Sequence, residues 1–262
     1  MSRHKYVSRF AGKSINELRT ADIEELSKHL SLQNLKPQTI KLALGLLRGM
    51  INFGVKNGLC KMPDPSLLFF EMPKVDNQKT ETLTKQQLQK IFQALDEEAD
   101  QRAASFIRLA IATGMRKGAL IALRWDDLDF EQGFITLRGE AAKKGRTERI
   151  PMAESARAIL LSIEKDESPF VFPGRWGGQR KEFYKIALRV KMKAGLPEDF
   201  RPLHGLRHAY ASMLASSGKV DLYTLQKLLT HSSPQMTQRY AHLSDEALKR
   251  AAQVLDDTLK QI

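Results

Sequence analysis

A mostly α-helical chain carrying one small antiparallel sheet, an α+β fold, is what this sequence predicts, and three observations predict it. Apolar residues recur at helical spacing along most of the chain. Three short runs between positions 128 and 152 read as strands, and the last two flank the turn-rich GEAAKKGRTE as a hairpin would. A stretch with three prolines, residues 62–80, separates a short helical region from a longer mixed one.

Taken in order, INELRTADIEELSKHL (15–30) predicts a helix capped near Thr20, with Ile23, Leu26 and Leu30 on one face. PQTIKLALGLLRGMINFGV (37–55) predicts a second, opened by a proline suited to a first turn and ended by Gly58. The proline-containing stretch has the composition of a linker, which places a boundary near 75–80 and divides the chain into 1–75 and 76–262. Beyond it, Thr84 caps LTKQQLQKIFQAL, and 103–113 is a buried helix ending at Gly114. Strands are expected at 128–130, 134–137 and 149–152. Helices are expected at 154–164, 180–194, 204–216, 221–229, 234–241 and 244–259.

At 262 residues and 42% hydrophobic content, the chain can bury a sizeable core. Its 42 Lys and Arg outnumber its 30 Asp and Glu, for a net charge of +12, and residues 1–75 carry half of that excess. Such a charge favours a polyanionic partner, with nucleic acid first among candidates. The lone cysteine, Cys60, cannot form an internal disulfide and reads as a packing residue, and residues 1–10 lack a signal peptide's apolar run. No stretch approaches the roughly 20 apolar residues of a membrane span, so a cytoplasmic protein is expected.

Six residues could together bind and attack a phosphodiester: Arg116, Lys144, His204, Arg207, His231 and Tyr240. Two guanidiniums supply planar, charge-assisted donors for the negative charge that gathers on a pentavalent phosphorus, and the other four can serve as nucleophile, proton acceptor, proton donor and further hydrogen-bond donor. In TGMRKGALIALRW (113–125), Arg116 stands at a helix start, where anions are favoured. In LHGLRHAYASML (203–214), His204 and Arg207 share a helical face and His208 is read as pointing elsewhere. In LLTHSSPQMTQRYAHL (228–243), Ser232 or Ser233 caps a helix opened by Pro234, with His231 before it and Tyr240 near its end. Each motif alone also has an ordinary reading, as a solvated arginine, a surface histidine or a half-buried tyrosine.

Together, TGMR, the KKGRTERIP hairpin, LHGLRH and THSSPQMTQRY resemble, in order and approximate spacing, the tyrosine recombinases of the phage-integrase family. The resemblance is strong over about 80–259 and looser over 15–59. It implies a helical core-DNA-binding domain followed by a mixed catalytic domain. It also implies that Arg116 and Arg207 clamp the phosphate, with His204 and His231 as the paired histidines and Tyr240 as the nucleophile. Lys144 matches the general-acid lysine, although Lys143 is one position away. His204 would accept or relay the phenolic proton, and Lys144 would protonate the departing 5′ oxygen, leaving a 3′-phosphotyrosyl link that stores the bond energy without ATP, metal or other cofactor. The implied partners are duplex DNA, a tetramer of this chain on it, and accessory DNA-bending proteins.

The chain departs from the family pattern at Ala119, where an acidic residue is usual, at Thr230 in place of glycine, and at Gly205 in place of Asp. The family's core-binding domain has four helices and two are evident here, so an N-terminally incomplete domain is expected. The amphipathic 244–259 suits docking on a neighbouring protomer or on its own domain equally. Rival readings are a non-catalytic helix-turn-helix protein, which would have no use for the lysine and tyrosine, and a type IB topoisomerase-like enzyme. A metal nuclease using His204, His208, His231 and His242 lacks nearby carboxylates.

Overall fold

The computed structural model describes residues 4–75, 81–139, 147–243 and 253, and the chain divides into two compact units, Met1–Gln78 and Lys79–Ile262. The first unit is built on α1 (His4–Val7), α2 (Thr20–Leu32) and α3 (Pro37–Lys56). Ile23, Leu26 and Leu30 of α2 meet Ile40, Leu44, Leu47 and Ile51 of α3 in its core, as the helical periodicity requires.

Thr20 does not cap α2. The N-cap is Arg19, while the Thr20 hydroxyl donates to the Leu67 carbonyl (3.1 Å) and accepts from the Phe69 amide (2.9 Å). That tie explains a second difference from the sequence reading: Leu68, Phe70 and Met72, inside the stretch read as linker, pack on the core of this unit. Their apolar side chains outweigh the prolines that mark the segment as irregular.

The second unit contains α4 (Lys85–Asp96), α5 (Gln101–Thr113), α6 (Lys117–Ala122), β1 (Leu128–Asp129), β2 (Phe134–Leu137), β3 (Glu148–Pro151), α7 (Glu154–Leu161), α8 (Tyr184–Lys193), α9 (His204–Ser216), α10 (Leu222–Leu228) and α11 (Gln235–Gln238). Thr84 caps α4 as expected, its hydroxyl accepting from the Gln87 amide (3.1 Å) while the Gln87 side chain returns the bond (3.0 Å). The sheet runs β1-β2-β3, fully antiparallel, with Ile135 opposite Ile150 and both side chains buried. The tip of the β2–β3 hairpin, with Lys143 and Lys144, lies outside the described residues, as does the helix expected at 244–259.

α5 sits centrally, packed on α7 and α9. Its Phe106 stacks on Phe183 (centroids 3.8 Å apart) and meets Phe172 edge-on at 5.1 Å, an aromatic knot that ties α5 to the chain entering α8. This knot also delays α8, which begins at Tyr184 rather than 180. Phe183 is buried in the core and is the N-cap of α8, and Arg180 lies over its ring at 4.1 Å and pairs with Asp100 at 3.4 Å, so the helix starts only after it.

Candidate active site

α5 ends at Gly114, in the left-handed region at φ +60°, where a Cβ would stand 2.3 Å from Cδ1 of Tyr210 on α9. Only glycine allows both that turn and that approach. The chain then reaches Arg116, the N-cap of α6. Arg207 lies in the first turns of α9, 7% exposed, and its guanidinium donates to the Gly114 carbonyl (2.6 Å) and to the Leu229 carbonyl. It thereby joins the ends of α5 and α10. Arg116 donates from Nη1 to the Thr230 hydroxyl (2.7 Å) and from Nη2 to the Thr230 carbonyl (3.0 Å). Both guanidiniums are held by neutral oxygens, which fix their planes and leave their charge whole.

Arg116, His204, Arg207, His231 and Tyr240 line one open cleft of about 830 Å³. Lys144 lies outside the described residues. Three residues that the sequence reading passed over also line or support the cleft. His208, read as pointing elsewhere, is 4% exposed and its Nδ1 is 2.5 Å from the Tyr240 Oη. Four residues advance a helix by about 400°, so His208 returns to within about 40° of His204, closer than Arg207 does. The signal was in the sequence. Arg239 lines the same cleft, and Thr237 places its buried hydroxyl 2.8 Å from His231 Nδ1. Neither serine caps α11: its N-cap is Pro234, and the Ser232 hydroxyl turns to the Met236 sulfur.

The departures at 205 and 230 have structural reasons. A Cβ on Gly205 would lie 2.8 Å from Cζ of Phe200, a buried ring, so no aspartate fits there without moving it. Thr230 occupies the left-handed position after α10 that glycine usually takes, and holds Arg116.

Electrostatically the cleft is dominated by positive charge, with Arg116, Lys117, Arg201, Arg207 and Arg239 lining it beside Glu148. Burial, and then neighbouring Arg116, lowers Arg207 to about 10. Burial, with Arg207 and Arg116 adding to it, brings His231 to about 3. His208 falls to about 4 through burial and then His204, and His204 itself is lowered by desolvation and by Arg201. All three imidazoles are therefore neutral at pH 7. Burial raises the Tyr240 phenol above its usual value, opposed by Arg239 and Arg207. Glu81 pairs with Arg201, which lines the cleft: burial would raise Glu81, but the two-pronged bond from Arg201 (2.6 Å each) outweighs that and holds it ionised. Among the described residues, no group of three or more His, Cys, Asp or Glu is placed to hold a metal ion. Nor is any described helix long and apolar enough to cross a membrane.

Residues 81–247 match the profile of the Phage integrase family. The tyrosine recombinase XerD of Vibrio cholerae is 29% identical over 245 residues, which is 88% of this chain and 78% of that protein. Among solved structures, the Tn1549 transposon integrase in complex with a circular intermediate DNA superposes with a TM-score of 0.73 at 18% identity, covering 94% of this chain and 91% of that one. A lambda integrase tetramer bound to a Holliday junction gives 0.70 at 20% identity, covering 92% and 69%.

Proposed function

This chain belongs to the phage integrase family, the site-specific tyrosine recombinases, and we propose that it cleaves and rejoins duplex DNA through a 3′-phosphotyrosyl link to Tyr240. The observation that carries this reading is the gathering of Tyr240, two arginines and three histidines on one cleft. A duplex phosphate seated between Arg116 and Arg207 takes bidentate, charge-assisted donors that strengthen as the phosphorus becomes pentavalent.

Tyr240 attacks phosphorus, its proton leaves along the existing hydrogen bond, and the P–O5′ bond breaks. By geometry His208 is first in line for that proton, with His204, ring-to-ring at 4.6 Å, as the relay toward the cleft mouth. The phosphate's negative charge raises the depressed imidazoles, and bonding to phosphorus acidifies the phenol, so the transfer becomes favourable only with DNA bound. A Thr237 hydroxyl donating to His231 Nδ1 puts the imidazole proton on Nε2, ready for a non-bridging oxygen. Lys144 is assigned protonation of the departing 5′ oxygen on resemblance alone. Reversal by another strand's 5′ hydroxyl completes the exchange, with atoms and charge balanced and no cofactor consumed.

The first unit, 1–78, takes the part of the core-DNA-binding domain, and the second is the catalytic domain. Four copies on two duplexes, assisted by DNA-bending proteins, make the recombining assembly, a reading supported by the similar fold of a lambda integrase tetramer bound to a Holliday junction. Its place is the cytoplasm, with the DNA it acts on.

The test is incubation in EDTA with nicked duplexes carrying candidate core sites, followed by a search for covalent protein–DNA. A band that needs Tyr240 and survives EDTA is expected. Tight duplex binding without a band on any site would favour the non-catalytic reading, and strand cleavage that leaves no covalent band and stops when EDTA is added would favour a metal nuclease.

A further inference from the structure

We propose that Thr230 is the positioning residue for Arg116, an inference that rests on the strand-cleavage reading above. One residue receives both prongs of the Arg116 guanidinium, the hydroxyl at 2.7 Å and the carbonyl at 3.0 Å. It can do so because of its backbone. The Thr230 amide donates to the Lys227 carbonyl (2.9 Å) and the His231 amide to the Gln226 carbonyl (3.0 Å), the paired bonds of a Schellman turn closing α10. Thr230 is the left-handed residue of that turn, at φ +48°. A β-branched side chain is disfavoured there, and glycine would make the same turn without strain. What threonine adds is the hydroxyl, set beside its own carbonyl and 8% exposed, facing the guanidinium.

The neighbourhood of Arg116 shows why a hydroxyl is wanted. One helical turn along α6, where a side chain would lie beside Arg116, stands Ala119. Ala119, Arg138, Glu148 and Thr230 border a cavity of about 20 Å³, room for no more than a water molecule. Arg116 is thus oriented from the end of α10 instead of from its own helix. Glu148 adds a longer-range attraction that partly offsets the effect of burial on the guanidinium. The arrangement has a second consequence: residue 231 follows directly, so a single turn fixes both a phosphate-binding arginine and a phosphate-facing histidine.

The experiment compares Thr230→Val, which keeps the shape and loses the hydroxyl, Thr230→Ser, which keeps the hydroxyl, and Thr230→Gly with and without Ala119→Glu. The readout is the rate of covalent-complex formation on a nicked duplex at saturating protein, so that binding does not enter. Loss of one charge-assisted bond that sharpens in the transition state is worth about tenfold or more. Val and Gly are expected to fall by that factor and Ser to stay near wild type. Gly should melt no lower than wild type, and Ala119→Glu should recover most of its lost rate by placing a carboxylate one turn from Arg116. In parallel, nitrogen-15 spectra of the Arg116 guanidinium should show slow rotation in wild type and Ser, and averaging in Val. Val cleaving at the wild-type rate, or Ser no better than Val, overturns the proposal. If wild type forms no covalent complex on any site, the strand-cleavage reading fails, and unchanged guanidinium rotation in Val would still reject the role of Thr230.

Discussion

Replacing His208 with Asn tests the buried contact on which the proton path depends. The Asn Oδ1 can take the place of Nδ1 and still accept from the Tyr240 hydroxyl, whereas the titration is removed. An unfolded chain protonates this histidine with a pKa near 6.5, and the folded one only near 4, held down by burial and by His204, with Arg201 and Arg239 adding to it and Glu81 opposing. The unfolded state therefore takes up the proton first as pH falls, so His208 lends full stability above about 6.5 and loses it progressively down to about 4. The full loss is about 3 kcal/mol at 1.36 kcal/mol per unit, of which about 2 kcal/mol falls between pH 7 and about pH 5. At 4% exposure little solvent screening reduces this. Urea unfolding followed by tryptophan fluorescence reads the second unit alone, since Trp125 and Trp176 are the chain's two tryptophans. Wild type should lose about 2 kcal/mol more than His208→Asn over that interval. Equal losses in the two proteins would mean that His208 is as free to protonate folded as unfolded, and the buried Tyr240–His208 contact would have to be abandoned.

Other outcomes follow from the same geometry. Arg207→Lys cannot span the Gly114 and Leu229 carbonyls with a single ammonium, and the rate of covalent-complex formation should drop at least about a hundredfold, with gel-shift affinity changed far less. Thr237→Val removes the partner of His231 Nδ1 and should slow cleavage about tenfold without lowering the melting temperature by more than about 4 °C, which matched melts and rates would check. Gly114→Ala forces a Cβ to within 2.3 Å of Tyr210 at a left-handed position, and urea unfolding should show a loss of at least about 1–2 kcal/mol from the backbone alone.

Much of this was legible because helical pattern and motif spacing are local properties. Ile23, Leu26 and Leu30 announce their helix, Thr84 announces its cap, and the runs at 134–137 and 149–152 announce the two paired strands of a hairpin. Arg116, His204, Arg207, His231 and Tyr240 could be singled out because each sits in a short motif, and folding brings all five to one cleft. What spacing could not convey was the partner of each side chain. Thr20 looks like a cap and is a tie to 67–69, because its Oγ1 meets a segment 47 residues away. Thr230 looks like a loss relative to glycine, and its value lies 114 residues back, at Arg116. His208 differs in kind, since the helical angle that returns it to the face of His204 was available from the sequence and was misread.

Burial together with an excess of positive charge explains why the site can be both poised and inert. Burial first, and then Arg116, Arg201, Arg207 and Arg239, depress the proton affinities of the groups in the site, Arg207 included, while burial keeps the proton on Tyr240. With the phenol above its usual value and His208 at about 4, proton transfer across their 2.5 Å contact is steeply uphill from the protein's own groups alone. Glu148, which lines the cleft, only partly offsets the effect of burial on Arg116, and Glu81 is already bound to Arg201. A phosphodiester placed between the two clamped arginines supplies the missing charge, raising the imidazoles and relieving the guanidiniums at once. The substrate is thereby an electrostatic part of the machine that cuts it, and a tyrosine 2% exposed is kept from idle chemistry until that part arrives.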